Sequence, residues 1–313
     1  MSFAAVFPGQ GSQSVGMLAE FLPEYPDIKQ AFVEASEVLD YDLWELIQAG
    51  PDGRLNATER TQPALLAAGV ALWRIWQARN GPQPACMAGH SLGEYTALVC
   101  AGALDFRAAI KLVEFRGQAM QQAVPPGAGA MAAILGLEDE TVRRACAEAA
   151  QGQVVQAANF NSPGQVVIAG EKSAVERAIA ACNAKGAKRS VLLPVSVPSH
   201  CALMKPAAEQ LAAKLADLSL QPPRIPVIHN VDVAAHSEAA AIRQVLKEQL
   251  YSPVRWAETV QYLTTSRGIS KLVEFGPGRV LSGLTKRINK SMGASPVYDP
   301  QTLQAALTAV AMP

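Results

Sequence analysis

The chain has 313 residues, half of them hydrophobic and 17% charged, a composition suited to a well-buried core in one large domain or a large domain carrying a smaller one. Twenty-seven basic residues balance twenty-seven acidic ones, so the net basic excess usual for nucleic-acid binding is missing and no such partner is expected. Five cysteines (Cys86, Cys100, Cys146, Cys182 and Cys201) are scattered without a Cys-x-x-Cys pair, which indicates reduced thiols in a cytoplasmic protein and no metal site.

The opening run, Phe3 to Phe7, is short, apolar and ended by Pro8-Gly9, as expected of a buried parallel strand. No basic region leads into a long apolar stretch there, so no signal peptide is expected. Residues 15 to 50 have a helical pattern with Pro and Gly breaks. Thr61 to Ala78 is apolar nearly all round and predicts a core helix. Its most apolar window, Ala64 to Trp73, ends at Arg74 and is too short to span a bilayer, so no membrane association is expected. A short strand over Ala85 to Ala88 runs into Gly89. Helices follow over Leu92 to Ala101 and Asp105 to Gln122, the second with Asp105 as N-cap.

At Pro125-Pro126-Gly127 the texture changes. Strand-like segments over Ala130–Leu137, Val154–Ala158, Val166–Ala169 and Ser190–Val195 alternate with helical ones over Glu138–Ala150 and Lys172–Lys185. Asn159 to Gly164 reads as a turn between the middle two strands, and Gly186 as a helix stop. This order is that of a split βαβ, ferredoxin-like unit. Residues 126–195 are therefore expected to form a small inserted domain. Residues 1–125 and 196–313 form the large one, which is α/β with a mostly parallel sheet. Short strands over Pro226–Val231 and Lys271–Phe275, and a helix from the Gly276-Pro277-Gly278 turn through Arg287, complete the reading.

Strand, Gly89-His90-Ser91-Leu92-Gly93, then helix is the context of a nucleophile elbow. The turn lifts the Ser91 hydroxyl off the sheet and puts Ser91 and Leu92 at a helix N-terminus, where amide N–H groups and the dipole favour an oxyanion. Of four histidines, His200 is the favoured base, because it follows a loop leaving a strand. His90 has a packing or supporting role, His229 could be buried or at the surface, and His236 lies in a polar stretch. Cys201 beside His200 reads as a buried bystander. The glycine-rich Pro8 to Gln13 segment lacks the Gly-Lys-Ser/Thr ending of a phosphate loop. Its alternative use is to aim the Gln10 N–H at the oxyanion, alongside that of Leu92.

The segments FPGQGSQ (7–13), GHSLGEY (89–95), FRGQAM (115–120), NFNSPGQVVIAG (159–170), VSVPSHCALM (195–204), QLYSPVRW (249–256) and FGPGRVLSGL (275–284) follow in order over nearly the whole chain. Together they resemble the malonyl-CoA:acyl carrier protein transacylases of dissociated bacterial fatty acid synthesis. The resemblance implies an α/β-hydrolase-like core with a ferredoxin-like subdomain and a cleft between them. It implies Ser91 as nucleophile, His200 as general base and acid oriented by the Gln249 backbone carbonyl, and Gln10 and Leu92 as oxyanion-hole amides. It also implies Arg116 as the group that binds the malonyl carboxylate, which suits a planar guanidinium with two parallel donors. Malonyl-CoA and acyl carrier protein are the implied substrates, with no cofactor needed. An acidic carrier protein calls for a basic rim, for which Lys188, Arg189, Lys286, Arg287 and Lys290 are candidates. A monomer is expected. Competing readings are a serine hydrolase, the acyltransferase of a malonate decarboxylase or polyketide pathway, and a non-catalytic carrier-protein-binding module.

Overall fold

The computed structural model describes residues 2–195 and 197–311. Its strands are β1 (Phe3–Phe7), β2 (Cys86–Gly89), β3 (Gly129–Leu135), β4 (Val155–Ser162), β5 (Gln165–Glu171), β6 (Arg189–Leu192), β7 (Val227–Ile228), β8 (Lys271–Phe275) and β9 (Gly293–Val297). They form two sheets, a five-stranded one in the order β7-β2-β1-β8-β9 and a four-stranded one in the order β4-β5-β3-β6.

Every pairing in the first sheet is parallel. Its central strand β1 is buried along its whole length. Phe3, Ala5 and Phe7 pack on one side, in the core built with the helix Thr58–Ala78. Ala4 and Val6 pack on the other, with Trp256, Val260 and Leu263. Helices on both faces explain why β1 reads as a continuous apolar run rather than an alternating one. The register sets Phe7 opposite Gly89, so the loop after β1 and the elbow after β2 leave the sheet side by side. They do so at the carboxyl ends of the strands, where open α/β sheets hold their ligands.

The second sheet is antiparallel, with the helices Asp139–Ala150 and Lys172–Ala184 packed on it. Ala132, Ile134, Ile168, Val142, Cys146 and Cys182 are part of a separate core. The alternate residues Met131, Ala133 and Val167 face a cleft toward the first sheet. The four strands and both helices of this unit run from Gly129 to Leu192. Ser196, where the chain was expected to rejoin the large domain, lies outside the described residues.

The structure corrects one expected turn. β4 continues through Asn159 and Asn161 to Ser162, leaving Pro163-Gly164 as the hairpin turn. Register shifts accompany these polar residues, and a bridge to a distant segment supports them: Phe160 N–H donates to Val254 O, and Val254 N–H to Ala158 O, each at 2.9 Å. That tertiary pairing satisfies backbone groups which the local sequence would leave to water. The helical stretch of residues 15–50 resolves into helices Ile28–Ser36 and Leu43–Ala49 and a short 3-10 turn. The core helix starts at Thr58, and Asp105 caps the next long helix by accepting from Ala108 N–H at 2.9 Å. Strand β9 and the terminal helix Pro300–Ala311 were not anticipated.

Candidate active site

The elbow depends on its glycines. A Cβ on Gly93 would lie 2.0 Å from Phe7 O, and one on Gly89 would lie 1.9 Å from Gly93 C. Backbone therefore packs on backbone, and the turn is tight enough to hold Ser91 at φ 51°, in the left-handed region. Such a conformation costs on the order of 1–3 kcal/mol and persists where surrounding contacts enforce it. Asn230 enforces it here. Its Nδ2 donates to Gly89 O at 2.6 Å, and its Oδ1 accepts from Ser91 N–H at 2.8 Å.

Ser91 Oγ lies 2.8 Å from His200 Nε2, and His200 Nδ1 lies 2.7 Å from Gln249 O. A carbonyl oxygen only accepts, so Nδ1 carries the proton and Nε2 is left bare toward the serine O–H. His200 is 4% exposed, and burial, with the nearby Arg116 charge, pushes its pKa down to about 3. The His200 ring is thus uncharged at neutral pH.

Arg116 projects from the helix Phe106–Gln122 and is only 1% exposed. Nη1 donates to Gln62 Oε1 at 2.8 Å. Nη2 donates to Gln249 Oε1 at 3.0 Å and to Ser91 Oγ at 3.3 Å. The Tyr95 ring lies 5.3 Å from the guanidinium carbon. None of the ion pairs among the described residues involves Arg116. A buried cation held only by neutral acceptors is a ready site for an anion.

A cleft of about 430 Å³ opens over these groups, lined by Gln10, Leu92, Arg116, Met131, Asn161 and Val280 among others. The amide N–H groups of Gln10 and Leu92 donate to no other described residue. Ser91 N–H is already taken by Asn230, which leaves the residue after the serine as the elbow's spare donor. Among the described residues no group of three or more His, Cys, Asp or Glu is placed to hold a metal ion. No described helix is long and apolar enough to cross a membrane.

The structure brings Ser91, His200, Gln249, Arg116, Gln10 and Leu92 to one place, although they span residues 10 to 249. None of the basic candidates is among the residues that line the cleft. Arg287 donates to Gln165 Oε1 at 2.8 Å; Gln165 pairs with Leu135, and Leu135 with Arg189. Arg287 and the Lys188-Arg189 step therefore lie at the same end of the small sheet, two strands apart, with Lys286 and Lys290 also exposed nearby in sequence.

The remaining histidines also find their places. His229, left open by the sequence, is fully buried with Nδ1 2.7 Å from Glu94 Oε1. His90 meets Asn161 Oδ1 at 2.8 Å, and His236 meets Asp232 at 2.6 Å. Cys201 is buried with its thiol pushed up to about 12, chiefly by desolvation, which removes it as a nucleophile. Sequence reasoning missed Glu94, Asn230 and Gln62. Glu94 alone carried a signal, as an acid three residues beyond the serine on a helix with an otherwise apolar or small first turn.

Residues 5–297 match the family model described as the acyl transferase domain. The malonyl CoA-acyl carrier protein transacylase of Salmonella typhimurium is 60% identical over 306 residues, covering 98% of this chain and 99% of its own length. That of Bacillus subtilis is 44% identical over 97% of this chain and 96% of its own. An acyl carrier protein S-malonyltransferase from Vibrio cholerae superposes with a TM-score of 0.95 at 62% identity, over 98% of this chain and 100% of that one. A malonyl-transacylase solved in complex with a type II PKS acyl-carrier protein superposes at 0.97 with 59% identity, over 99% of this chain and 100% of that one. An α/β core with an elbow serine, and a family match along nearly its whole length, make this an acyl transferase. Within that class, the chain belongs to the malonyl CoA-acyl carrier protein transacylase family.

Proposed function

We propose that the protein moves a malonyl group from malonyl-CoA to the phosphopantetheine thiol of an acyl carrier protein, supplying fatty acid synthesis. The observation that carries this reading is Arg116, a buried guanidinium with no ionic partner among the described residues, 3.3 Å from the nucleophile. The malonyl carboxylate takes its two parallel donors, which sets the thioester carbonyl over Ser91 with its oxygen toward the Gln10 and Leu92 amides. His200 Nε2 removes the Ser91 proton as Oγ attacks. The tetrahedral intermediate collapses, His200 returns the proton to the departing coenzyme A sulfur, and malonyl-Ser91 remains. The carrier thiol then gives its proton to His200 and attacks the ester, and the steps run in reverse. Thiolates leave readily, so this chemistry calls on no metal or prosthetic group.

In this reading residues 126–195 act as a small domain walling one side of the cleft. Lys188, Arg189, Lys286 and Arg287 form the rim that receives an acidic carrier protein. The enzyme works as a cytoplasmic monomer. The type II PKS carrier bound to one relative supports a second reading of the acceptor, a polyketide carrier protein. Intact-mass measurement after mixing with malonyl-CoA, then with each carrier protein, tests both. The expected result is a malonyl adduct lost on carrier addition, and absent in Ser91→Ala. An adduct that decays at the same rate in buffer alone would instead mark a hydrolase.

A further inference from the structure

The carboxylate of Glu94 is fully buried and accepts three hydrogen bonds: from His229 Nδ1 at 2.7 Å, Asn230 N–H at 2.9 Å and Gln249 Nε2 at 3.0 Å. A buried carboxylate is costly unless its oxygens are satisfied, and here they are. That alone is a structural role. What sets Glu94 apart is the next contact of two of its donors.

Gln249 Nε2 also donates to Ser91 O at 3.0 Å. Both partners of this nitrogen are pure acceptors, so the amide can face only one way, with Oε1 toward Arg116 Nη2. The same residue's backbone carbonyl orients His200. Asn230, fixed at its main chain by Glu94, holds Ser91 N–H and Gly89 O with its side chain. One carboxylate thus ties together the nucleophile's backbone on both sides, the base and the arginine. It does so through a neutral amide. Burial pushes the Arg116 pKa down, with Tyr95 and then the Glu94 charge acting against it, and no ion pair joins Arg116 to Glu94 among the described residues.

We propose that Glu94 is the positioning residue of this site. Through Gln249 and Asn230 it fixes the elbow and His200, and through the Gln249 amide it holds Arg116 on a neutral acceptor that a substrate carboxylate can displace. The Arg116 part rests on the function proposed above; the elbow part does not.

Glu94→Gln and Glu94→Asp separate geometry from a general need for an acid. The glutamine is isosteric. Its oxygen accepts from Asn230 and Gln249, and its NH2 faces His229, whose proton moves to Nε2, an atom with no partner among the described residues. The aspartate keeps the charge but withdraws it by about 1.5 Å, one carbon–carbon bond, beyond reach of three donors on different segments. After circular dichroism shows both variants folded, two rates are read. The first is Ser91 labelling by a fluorophosphonate, which presumes nothing about the natural acyl group. The second is acyl-enzyme formation from malonyl-CoA relative to acetyl-CoA. Glu94→Asp is expected to lose at least tenfold in labelling and at least tenfold in malonyl preference, with Glu94→Gln staying within about threefold of wild type in both. A folded Glu94→Asp that labels Ser91 at the wild-type rate, or a Glu94→Gln as impaired as Glu94→Asp, overturns the proposal. Wild type that labels but takes no malonyl group sinks the proposed function instead and leaves the elbow part standing.

Discussion

Arg116 Nη2 lies 3.3 Å from Ser91 Oγ, the same hydroxyl that His200 Nε2 reaches at 2.8 Å. The Ser91 hydroxyl therefore sits between the His200 imidazole and a fixed cation.

Selectivity is the first consequence. A substrate lacking the distal carboxylate leaves the guanidinium without its anion in a water-poor site, at a cost on the order of 2–4 kcal/mol. Arg116→Ala is expected to lose roughly thirtyfold to several hundredfold in kcat/KM for malonyl-CoA while gaining relatively on acetyl-CoA. Arg116→Lys should recover little, because an ammonium cannot offer two parallel donors. Steady-state kinetics with both thioesters checks this, and an unchanged ratio in Arg116→Ala counts against the carboxylate site.

Stability should depend on pH through His200. Its folded pKa, about 3, lies below the ordinary value of about 6.5, so between these limits the unfolded chain binds the extra proton. The stabilisation from the neutral buried ring is present above about pH 6.5 and is lost as pH falls toward 3, at no more than about 1.4 kcal/mol per pH unit. Urea unfolding at pH 7 and pH 4.5 should show a smaller pH difference for His200→Gln than for wild type. Equal differences would mean that the ring is not held neutral.

The elbow glycines make a sharper test of packing. Gly93→Ala would force a Cβ to 2.0 Å from Phe7 O, so it should cost at least about 2 kcal/mol and abolish Ser91 acylation. Gly283, in a helix with nothing within 4 Å of its added Cβ, provides the contrast. Gly283→Ala should be neutral to stabilising by about 1 kcal/mol. Thermal melts of the two variants settle the comparison.

Carrier docking should be sensitive to salt where malonyl binding is not. With Arg189 and Arg287 on the same end of the small sheet, the KM for carrier protein should rise between low and physiological ionic strength. The KM for malonyl-CoA should change less. Arg189→Glu together with Arg287→Glu should raise the carrier KM at least tenfold at low salt. A carrier KM indifferent to both salt and charge reversal would move the docking surface elsewhere.

Much of the scaffold was written locally. β1 as an apolar run before Pro-Gly, the Asp105 cap and the glycines of the elbow are each set by residues within a few positions of one another. The hairpin beyond Asn159 was not, because the bridge that sustains it comes from Val254, almost a hundred positions away. β9 was equally hidden. Its Gly-Ala-Ser-Pro-Val sequence has little strand propensity, and Pro296 is tolerated because the strand lies at the sheet's edge.

By itself, the sequence marked the elbow and its serine. An elbow is a local object, and two glycines around one serine between a strand and a helix are enough to specify it. The motifs in order along the chain also determined the family and singled out Arg116 and His200. Only the tertiary structure decided how these groups are held. A buried carboxylate must be satisfied by whatever donors folding brings to it, and Glu94 draws them from residues 229, 230 and 249. Long-range pairing of this kind leaves no spacing to read, because the partners are chosen by the approach of separate strands and helices at one end of the sheet.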